Sequence, residues 1–499
     1  MATNFKNFIA GKWVNARTNE TYENRNPVNG NLLGIFPKSG RQDVLKAIEA
    51  AHKAFQHWRL VPAPKRGEIL YKAGQILVER KEEIARKMTM EMGKVIKEAR
   101  GDVQEGIDMS FFAGGEGRRM LGDTTPSELP NKFAMSVRMP IGIIGVITPW
   151  NFPLAIPTWK IMPALVAGNT LVWKPARWTP WMAYELTRVF EEAGLPAGVL
   201  NLVFGFGGAV GDPLVEDKRI GMISFTGSTD VGTNLQSRCP KTYKRISCEM
   251  GGKNAIMVMD DADLDLAVEG IIWSAFGTTG QRCTACSRLI AHKKIVRPLT
   301  EKVVARAKAL RLGDGLDPKT EMGPVVNSDA REKIHEYVQI GKREGAKLLC
   351  GGYKPTEKPL NKGFFYAPTV FGEVTPKMRI AQEEIFGPVL GIIECSSLEQ
   401  AVKINNETDF GLSSAIYTRE VNRAFQAMRD IDTGLCYINS GTIGAEVHLP
   451  FGGTRGTGNG HREAGQEALV TFTEWKSIFV DFSGKLQKAQ IDELKVSQK

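Results

Sequence analysis

The run Ile141-Gly-Ile-Ile-Gly-Val-Ile-Thr148 marks the point where the chain begins to alternate between strands and helices, and it decides the predicted fold. Further strand-like runs follow it, mostly separated by helical or glycine-bearing stretches: Thr170–Lys174, Leu200–Phe204 and Met222–Phe225. Strands that alternate with helices predict a parallel, doubly wound sheet, in which nucleotides bind at the carboxyl ends of the strands. The sequence therefore predicts an α/β fold with a dinucleotide site in this region.

The flanking segments extend this pattern in both directions. Toward the amino terminus, a strand-like pair at 8–14 precedes helical stretches such as Val44–Trp58. Toward the carboxyl terminus, a second α/β series opens with a strand-like run at Asn254–Met259 and a helix at Asp261–Phe276, whose acidic start suits the helix dipole. The tail from Asp481 is polar and helix-prone, and we expect it to fray or to pack on a neighbouring subunit.

Composition narrows the class of protein. The chain has 499 residues, 42% hydrophobic and 24% charged, which is typical of a globular protein with more than one core. The net charge is +10, but basic and acidic residues are interleaved, so the charge favours anionic small molecules over nucleic acid. No apolar run is long enough to span a bilayer, the amino terminus lacks a secretory signal, and seven cysteines are scattered along the chain. These features predict a cytoplasmic protein with reduced cysteines.

The segment Thr278-Thr-Gly-Gln-Arg-Cys-Thr-Ala-Cys286 places a cysteine at a glycine-bearing break after a helical stretch. Such a cysteine can be partly exposed, and Arg282 beside Cys283 favours the nucleophilic thiolate over the thiol. The alternatives are a buried structural cysteine and a redox or metal-binding pair with Cys286. A single C-x-x-C without a second pair or a nearby histidine is a poor zinc site, so we predict no metal.

A candidate base and two candidate phosphate loops precede this cysteine. Glu249-Met-Gly-Gly-Lys253 lies 34 residues before Cys283, and burial would raise the pKa of Glu249 enough to make it a general base. The alternative is a turn with a solvated glutamate. Gly205–Gly211 and Phe225–Gly232 each follow a strand and suit the approach of a pyrophosphate, although neither matches G-x-G-x-x-G.

Seven motifs occur in a recognisable order. They are Thr148-Pro-Trp-Asn-Phe-Pro153, Trp173-Lys-Pro-Ala176, Phe225-Thr-Gly-Ser228, Glu249-Met-Gly-Gly-Lys253, Gly280-Gln-Arg-Cys283, Glu383-Glu-Ile-Phe-Gly-Pro388 and Pro450-Phe-Gly-Gly453. Together, over residues 8–480, they resemble the aldehyde dehydrogenase superfamily. The stretches 141–161 and 439–448 resemble bacterial enzymes that act on acidic semialdehydes, notably 2-oxoglutarate semialdehyde.

This resemblance implies a set of catalytic roles. Cys283 attacks the aldehyde carbonyl, the Asn151 amide helps to hold the oxyanion, and Glu249 activates the water that hydrolyses the thioester. Lys174 assists in the active site, and Glu463 relays protons. Non-enzymatic members usually lose the nucleophile or the base, and relatives that transfer the acyl group to coenzyme A generally lack the glutamate. The chain retains both residues, which favours an oxidoreductase that releases a free acid.

The resemblance also implies a nicotinamide dinucleotide. The residues expected to bind it are Thr148, Pro149, Trp150, Lys174, Arg177, Gly211, Phe225, Gly227, Ser228, Val231, Glu384 and Phe386. Strictly NAD-using relatives tend to carry a glutamate where this chain has Arg177, and a guanidinium suits a 2′-phosphate. We therefore expect NADP to be used at least as well as NAD. The alternative is that Arg177 points to solvent and NAD is preferred.

We expect the substrate to be a carboxylate-bearing semialdehyde, and the alternative is a broad-specificity enzyme for uncharged aliphatic or aromatic aldehydes. Phe152 and Trp159 are expected to line the apolar part of the substrate tunnel. The candidates to meet a substrate carboxylate are Arg282, His448 and Arg119.

The resemblance finally implies a three-part architecture. A Rossmann-type dinucleotide-binding domain takes residues 1–121 and 141–251, and an α/β catalytic domain takes 252–456. Residues 122–140 and 457–499 form a small β oligomerisation arm and a carboxyl-terminal tail. Because exposed strand edges invite pairing, we expect a homo-oligomer, either a dimer or a tetramer.

Overall fold

A computed structural model describes residues 3–491 of the chain. The elements of its first half are β1 (Asn7–Ile9), β2 (Lys12–Val14), β3 (Thr21–Arg25), β4 (Leu32–Pro37), α1 (Arg41–Trp58), α2 (Ala63–Met92), α3 (Ile96–Glu116), β5 (Thr124–Pro126), β6 (Lys132–Pro140), β7 (Ile143–Ile147), α4 (Ala155–Ala167), β8 (Thr170–Lys174), α5 (Pro180–Glu192), β9 (Leu200–Leu202), α6 (Gly207–Glu216), β10 (Ile220–Thr226), α7 (Thr229–Arg238) and β11 (Arg245–Glu249).

The elements of the second half continue the alternation. They are β12 (Asn254–Val258), α8 (Leu264–Phe276), β13 (Cys286–His292), α9 (Val296–Ala309), α10 (Ser328–Arg343), β14 (Lys347–Cys350), β15 (Thr369–Gly372), α11 (Arg379–Gln382), β16 (Val389–Cys395), α12 (Leu398–Asn406), β17 (Phe410–Gly411), β18 (Ser413–Tyr417), α13 (Val421–Asp430), β19 (Leu435–Ile438), β20 (Thr454–Arg455), α14 (Glu467–Thr471) and β21 (Thr473–Asp481). Helix α8 begins three residues later than predicted, after Asp263, whose side chain caps it.

The first large sheet has the strand order β11-β10-β7-β8-β9-β1-β2, and its first five strands are parallel. The chain adds β8 and β9 on one side of β7 and then returns to add β10 and β11 on the other. This reversal creates a crevice between β7 and β10 at their carboxyl ends, which is where open α/β sheets bind ligands. The prediction of a doubly wound α/β fold is confirmed.

Both faces of this sheet are covered by helices, which explains its nearly continuous apolar strands. Along β7, Ile144 and Val146 enter one core, and Ile143 enters the opposite core. Strand β8 alternates in the same way, with Leu171 facing the first core and Val172 the second. The period of two residues thus distributes an apolar strand between two cores.

The second large sheet has the order β14-β15-β16-β13-β12-β18-β19, and all pairs are parallel except β14 with β15. Strand β11 ends at Glu249 and β12 begins at Asn254, so residues 250–253 lead from the carboxyl edge of the first sheet to the amino edge of the second. Strand β13 begins at Cys286, three residues after Cys283. The candidate base and nucleophile therefore lie at the two edges that this short connection joins.

A separate antiparallel sheet has the order β21-β6-β5, with Lys132–Pro140 paired along Thr473–Asp481. Residues 482–491 form turns and no helix, unlike the helix-prone tail that the sequence predicts. The Gln487 amide donates to the Pro130 carbonyl at 2.8 Å, so this part of the tail folds back on the arm. The predicted domain boundaries at 121, 141, 252 and 456 remain predictions, and residues 1–2 and 492–499 of those ranges lie outside the described residues.

Candidate active site

The segment that carries Cys283 makes an unusual reversal between α8 and β13. Thr278 and Thr279 have φ of 51° and 59°, and Gly280 has φ of 68°, so three consecutive residues are left-handed. Threonine is β-branched and rarely adopts this conformation, which costs on the order of 1–3 kcal/mol per residue. Cys283 lies three residues after Gly280 and is half-buried. The surrounding structure must therefore hold this segment in place.

Hydrogen bonds from two other elements hold it. Oε1 of Glu98, on α3, accepts from the backbone N–H of Thr278 at 2.7 Å and from the Arg282 guanidinium at 3.2 Å. The side-chain amide of Asn254 donates to the Cys283 carbonyl at 2.7 Å. Helix α3 and strand β12 of the second sheet therefore both hold the segment that carries the nucleophile.

Asn151 follows β7 and is buried beside the same segment. Its Nδ2 donates to the carbonyl of Gln281 at 3.1 Å, which uses one of its two amide hydrogens. Asn151 and Cys283 line one cavity of about 220 Å³ together with Glu384 and Phe386. An oxygen bonded to carbon near Cys283 can therefore meet the amide of Asn151.

Burial makes the Cys283 thiol a weak acid in this state. It raises the pKa of Cys283 to about 12, and the negative charges of Glu384 and Glu249 act in the same direction. The backbone N–H of Thr284 donates to the sulfur and partly opposes the shift. Arg282, which was expected to favour the thiolate, directs its guanidinium to Glu98 instead, with 3.2 Å between the charged atoms.

Glu249 is buried at the end of β11. Neither of its carboxyl oxygens has a partner of good hydrogen-bond geometry within residues 3–491. Burial raises the pKa of Glu249 well above its ordinary value, and the charge of Glu463 adds to this, whereas Lys160 opposes it. Glu249, Glu463 and Cys283 line a second cavity of about 70 Å³. A carboxyl group in such surroundings is a strong base once it ionises.

A buried ion pair lies behind Glu249. Nζ of Lys160 contacts Oε1 of Glu463, and it also donates to the Ser224 hydroxyl at 3.2 Å. Glu463 is predicted from the sequence as a site residue, whereas Lys160 is not. The signal was present, because Lys160 is the one charged residue in the apolar helix α4, and a buried charge requires a partner.

Two connected clefts contain the whole predicted dinucleotide set. A cavity of about 490 Å³ at the crevice between β7 and β10 is lined by Thr148, Pro149, Trp150, Lys174, Arg177, Gly211, Phe225, Gly227, Ser228 and Val231, and the 220 Å³ cavity beside Cys283 is lined by Glu384 and Phe386. Helices α6 and α7 both begin at the larger cleft, so their amino ends favour anionic groups there.

The side chains at these clefts suit a phosphate-bearing dinucleotide. Lys174 is buried, and burial together with the charge of Arg177 lowers its pKa to about 8. The Thr226 hydroxyl is buried without a hydrogen-bonding partner among the described residues. At the other end, Glu384 accepts from the backbone N–H of Gly252 at 2.9 Å, and the rings of Trp150 and Phe386 meet edge to face at 5.5 Å.

Arg177 lies at the rim of the larger cleft. Its guanidinium is 4.2 Å from the ring centre of Trp178 and 5.1 Å from that of Phe206, and Lys38 lies 5.7 Å from the same Phe206 ring. No acidic side chain of residues 3–491 pairs with Arg177, although Lys38 is paired with Glu20 at 2.7 Å. The rim is therefore positively charged and aromatic.

The substrate-side predictions divide into two groups. Phe152, Trp159 and Arg282 line the 70 Å³ cavity. His448 does not line it: its side chain is exposed and lies 3.3 Å from Glu446. Arg119 is also exposed and pairs with Glu116. Several residues that line this cavity were not predicted from the sequence, among them Glu105, Leu412, Ile443 and Phe451. They come from distant parts of the chain, and Glu105 looks like an ordinary helix surface residue.

All seven cysteines are free, and Cys286 is buried at the start of β13. Residues 3–491 contain no cluster of three or more histidine, cysteine or acidic side chains arranged to hold a metal ion. No helix in that range is long and apolar enough to cross a membrane.

Residues 13–478 match the model of the aldehyde dehydrogenase family. The chain is 42% identical to the alpha-ketoglutaric semialdehyde dehydrogenase of Bacillus subtilis, over 95% of this chain and 98% of that protein. It is 40% identical to the 2,5-dioxopentanoate dehydrogenase of Saccharolobus solfataricus, over 94% and 98%. Among solved structures, betaine aldehyde dehydrogenase of Staphylococcus aureus in complex with NAD+ superposes with a TM-score of 0.94 at 32% identity, over 96% and 95% of the two chains.

Proposed function

Since this chain belongs to the aldehyde dehydrogenase family, whose members use NAD or NADP, we propose that it oxidises a carboxylate-bearing semialdehyde to the corresponding diacid. Cys283 is the nucleophile, Asn151 the oxyanion donor and Glu249 the base. One observation carries the proposal: Cys283 lines both the dinucleotide-side cavity with Asn151 and the small cavity with Glu249. A carbonyl carbon bonded to this sulfur is accessible from both sides.

The chemistry begins with proton removal from the Cys283 thiol. Ionised Glu249, in the same cavity, accepts that proton, and the thiolate forms a bond to the aldehyde carbon. The Asn151 amide and the backbone N–H of Cys283 donate to the resulting oxyanion, and such donors contribute about 3–4 kcal/mol to lowering a barrier. When bound in the adjoining clefts, the nicotinamide group supplies the acceptor for the hydride, so the carbon attached to sulfur becomes a thioester.

Hydrolysis completes the reaction. Glu249 first gives up the proton that it took from the thiol, through the small cavity that it shares with Glu463. It then takes a proton from water, the hydroxide adds to the thioester carbon, and the carbon–sulfur bond breaks to release the acid and the Cys283 thiolate. Lys160 and Glu463 form a buried proton-holding pair next to Glu249 and can accept the surplus proton. Lys174 binds the dinucleotide near its ribose. These assignments are supported by the convergence of the side chains and by the family resemblance.

The substrate class is supported by the names of relatives and by charge. Several relatives at 37–42% identity are named as semialdehyde dehydrogenases, including a glutarate-semialdehyde dehydrogenase of Pseudomonas putida. Arg282 brings a cation to the wall of the small cavity, and Phe152 and Trp159 supply its apolar surface. A short aldehyde with a distal carboxylate matches this combination.

For the cofactor, we propose that NADP is used at least as well as NAD. The support is the guanidinium of Arg177 at the rim of the cleft, which pairs with no acidic side chain of the part of the chain that the structure describes and lies against the Phe206 ring. A 2′-phosphate gains a charge-assisted hydrogen bond from this guanidinium.

We also propose a homo-oligomer, a dimer or a tetramer, in a reducing cytoplasm. Strand β21 lies at the edge of the arm sheet and exposes Trp475, Phe479 and Val480, and apolar side chains on an open edge strand favour pairing with a second copy. Seven unpaired cysteines, one of them the nucleophile, suit a reducing compartment.

The decisive experiment is a substrate and cofactor panel without coenzyme A. Succinic and 2-oxoglutaric semialdehydes and the uncharged pentanal are each assayed with NAD and with NADP. We expect acid formation, a higher kcat/KM for the semialdehydes, and NADP at least equal to NAD. Equal turnover of pentanal and the semialdehydes contradicts the substrate class, and a tenfold preference for NAD contradicts the cofactor proposal.

A further inference from the structure

Glu105 is a carboxyl group in the substrate cavity with no role in the mechanism above. It lies on α3, is half-buried, and lines the 70 Å³ cavity with Cys283 and Arg282. Within the described chain its carboxyl group makes no hydrogen bond, whereas Asp102 and Asp108, one turn away on either side, are both bonded. A carboxyl group that lines the cavity of the reacting sulfur without a hydrogen bond is costly, because nothing compensates for its lost hydration.

The surroundings of Glu105 favour its neutral form. Burial raises its pKa to about 8, the charge of Asp102 adds to this, and Arg282 and Lys94 oppose it. Both opposing cations have acidic partners of their own, since Lys94 pairs with Asp102 at 2.8 Å and Arg282 with Glu98 at 3.2 Å. The charged or titratable groups that face Glu105 from the packed elements and the cavity are Asp102, Asp108, Lys94, Arg282, Tyr437, Cys283, Glu249 and Glu463.

We propose that Glu105 determines specificity for the substrate's distal carboxylate: its protonated carboxyl group donates a hydrogen bond to that carboxylate beside Arg282. The inference rests on the proposed function, because it presupposes a semialdehyde bonded to Cys283. A carboxylic acid that donates to a carboxylate forms a short, charge-assisted bond, stronger than a bond between neutral groups. When Glu105 ionises, its carboxylate lies against the distal carboxylate of the substrate, and the repulsion between these two negative charges excludes the substrate.

The proposal makes recognition of the acidic substrate depend on pH in a defined direction. Glu105 is mainly protonated at pH 7 and mainly ionised at pH 9.5. The preference for the acidic aldehyde is therefore present at neutral pH and is lost as the pH rises. The ionisation of Glu105 does not repel an uncharged aldehyde. The titrations of Cys283 and Glu249 affect both substrates equally, so the ratio of the two kcat/KM values reports the ionisation of Glu105 alone.

The test measures kcat/KM for succinic semialdehyde and for pentanal between pH 7 and pH 9.5, and compares their ratio. In the wild-type enzyme we expect the ratio to fall at least about tenfold across this range, as a group with a pKa near 8 ionises. In Glu105→Gln the ratio should not change with pH, because the amide still donates a hydrogen bond but cannot ionise. Glu79→Gln, the same change at an exposed position on α2, is the control and should keep the wild-type fall.

The outcomes separate the two proposals. If succinic semialdehyde is preferred at pH 7 but the wild-type ratio stays constant to pH 9.5, the role of Glu105 is overturned and the proposed function stands. The same conclusion follows if the kcat/KM ratio of Glu105→Gln falls with rising pH as it does in the wild-type enzyme. If succinic semialdehyde is no better than pentanal at any pH, the substrate class itself is wrong. The wild-type measurement keeps the inference testable even if the Gln variant does not fold.

Discussion

Glu98 anchors the strained segment that presents Cys283, and its substitution tests how far catalysis depends on that anchor. Glu98→Ala removes the acceptor of the Thr278 N–H at 2.7 Å and of the Arg282 guanidinium at 3.2 Å. The Glu98 side chain is 2% exposed and that of Arg282 is 11% exposed, so water cannot fully replace the lost partner.

The magnitude follows from these contacts. A buried backbone N–H without an acceptor costs about 1–3 kcal/mol. Arg282 is not fully buried, and its guanidinium also stacks on the Trp273 ring at 4.9 Å. We therefore assign about 2 kcal/mol to the loss of its ion pair with Glu98, which is less than the cost of breaking a wholly buried ion pair. The sum of about 3–5 kcal/mol is comparable to the strain of two left-handed threonines, so the segment should relax when Glu98 is removed. A displacement of Cys283 by about 1 Å lowers the rate about 100-fold.

The assay combines three measurements on Glu98→Ala and Glu98→Gln: kcat/KM, the urea midpoint, and the rate at which iodoacetamide modifies Cys283. Peptide mass spectrometry separates modification of Cys283 from that of the exposed Cys436. We expect the Ala variant to lose about 100-fold in kcat/KM and the Gln variant to lose less, because its amide oxygen still accepts from the Thr278 N–H.

Glu82→Ala is the control, since Glu82 pairs with Arg100 at 2.8 Å but both side chains are about half exposed, and exposed pairs contribute little. We expect it to match the wild-type enzyme. The reasoning is refuted if Glu98→Ala keeps kcat/KM and the alkylation rate of Cys283 within twofold of wild type.

Three further outcomes are expected. Arg177→Glu should lower kcat/KM for NADP about 10- to 100-fold while NAD is used as before or better, because the cation at the rim becomes a repelling anion; equal losses for both dinucleotides would contradict this. Cys283→Ser should abolish turnover, whereas Cys286→Ser, at a buried sulfur at the start of β13, should retain most of it; loss in both variants would favour a functional pair. Glu249→Gln should lose at least about 100-fold both in the first burst of reduced dinucleotide and in the steady state, because the same carboxylate takes the proton from the Cys283 thiol and from the hydrolytic water. Because burial holds the pKa of Glu249 above its ordinary value, the wild-type steady-state rate should rise as the pH is raised and that carboxyl group ionises, and a rate that falls instead would count against Glu249 as the base.

The sequence by itself determined the fold class and the residue types that carry the chemistry. The alternation of apolar strands and helices from Ile141 onward predicts a doubly wound sheet, because strands buried on both faces are almost wholly apolar and helices cover both faces. The motifs that end β7, β8, β10 and β11 then converge, since the carboxyl ends of parallel strands share one edge. For this reason every residue predicted for the dinucleotide lines one of the two clefts.

Only the tertiary structure decided what surrounds those residues. Arg282 was expected to activate the neighbouring thiol, but Glu98, far away in the sequence, engages its charge, and His448 proved to be a surface residue. Lys160 and Glu463 are 303 positions apart and meet in the interior. Adjacency along the chain does not specify such contacts. The protonation of Cys283, Glu249 and Glu105 depends on how much water and which charges surround each group, and folding alone sets those surroundings.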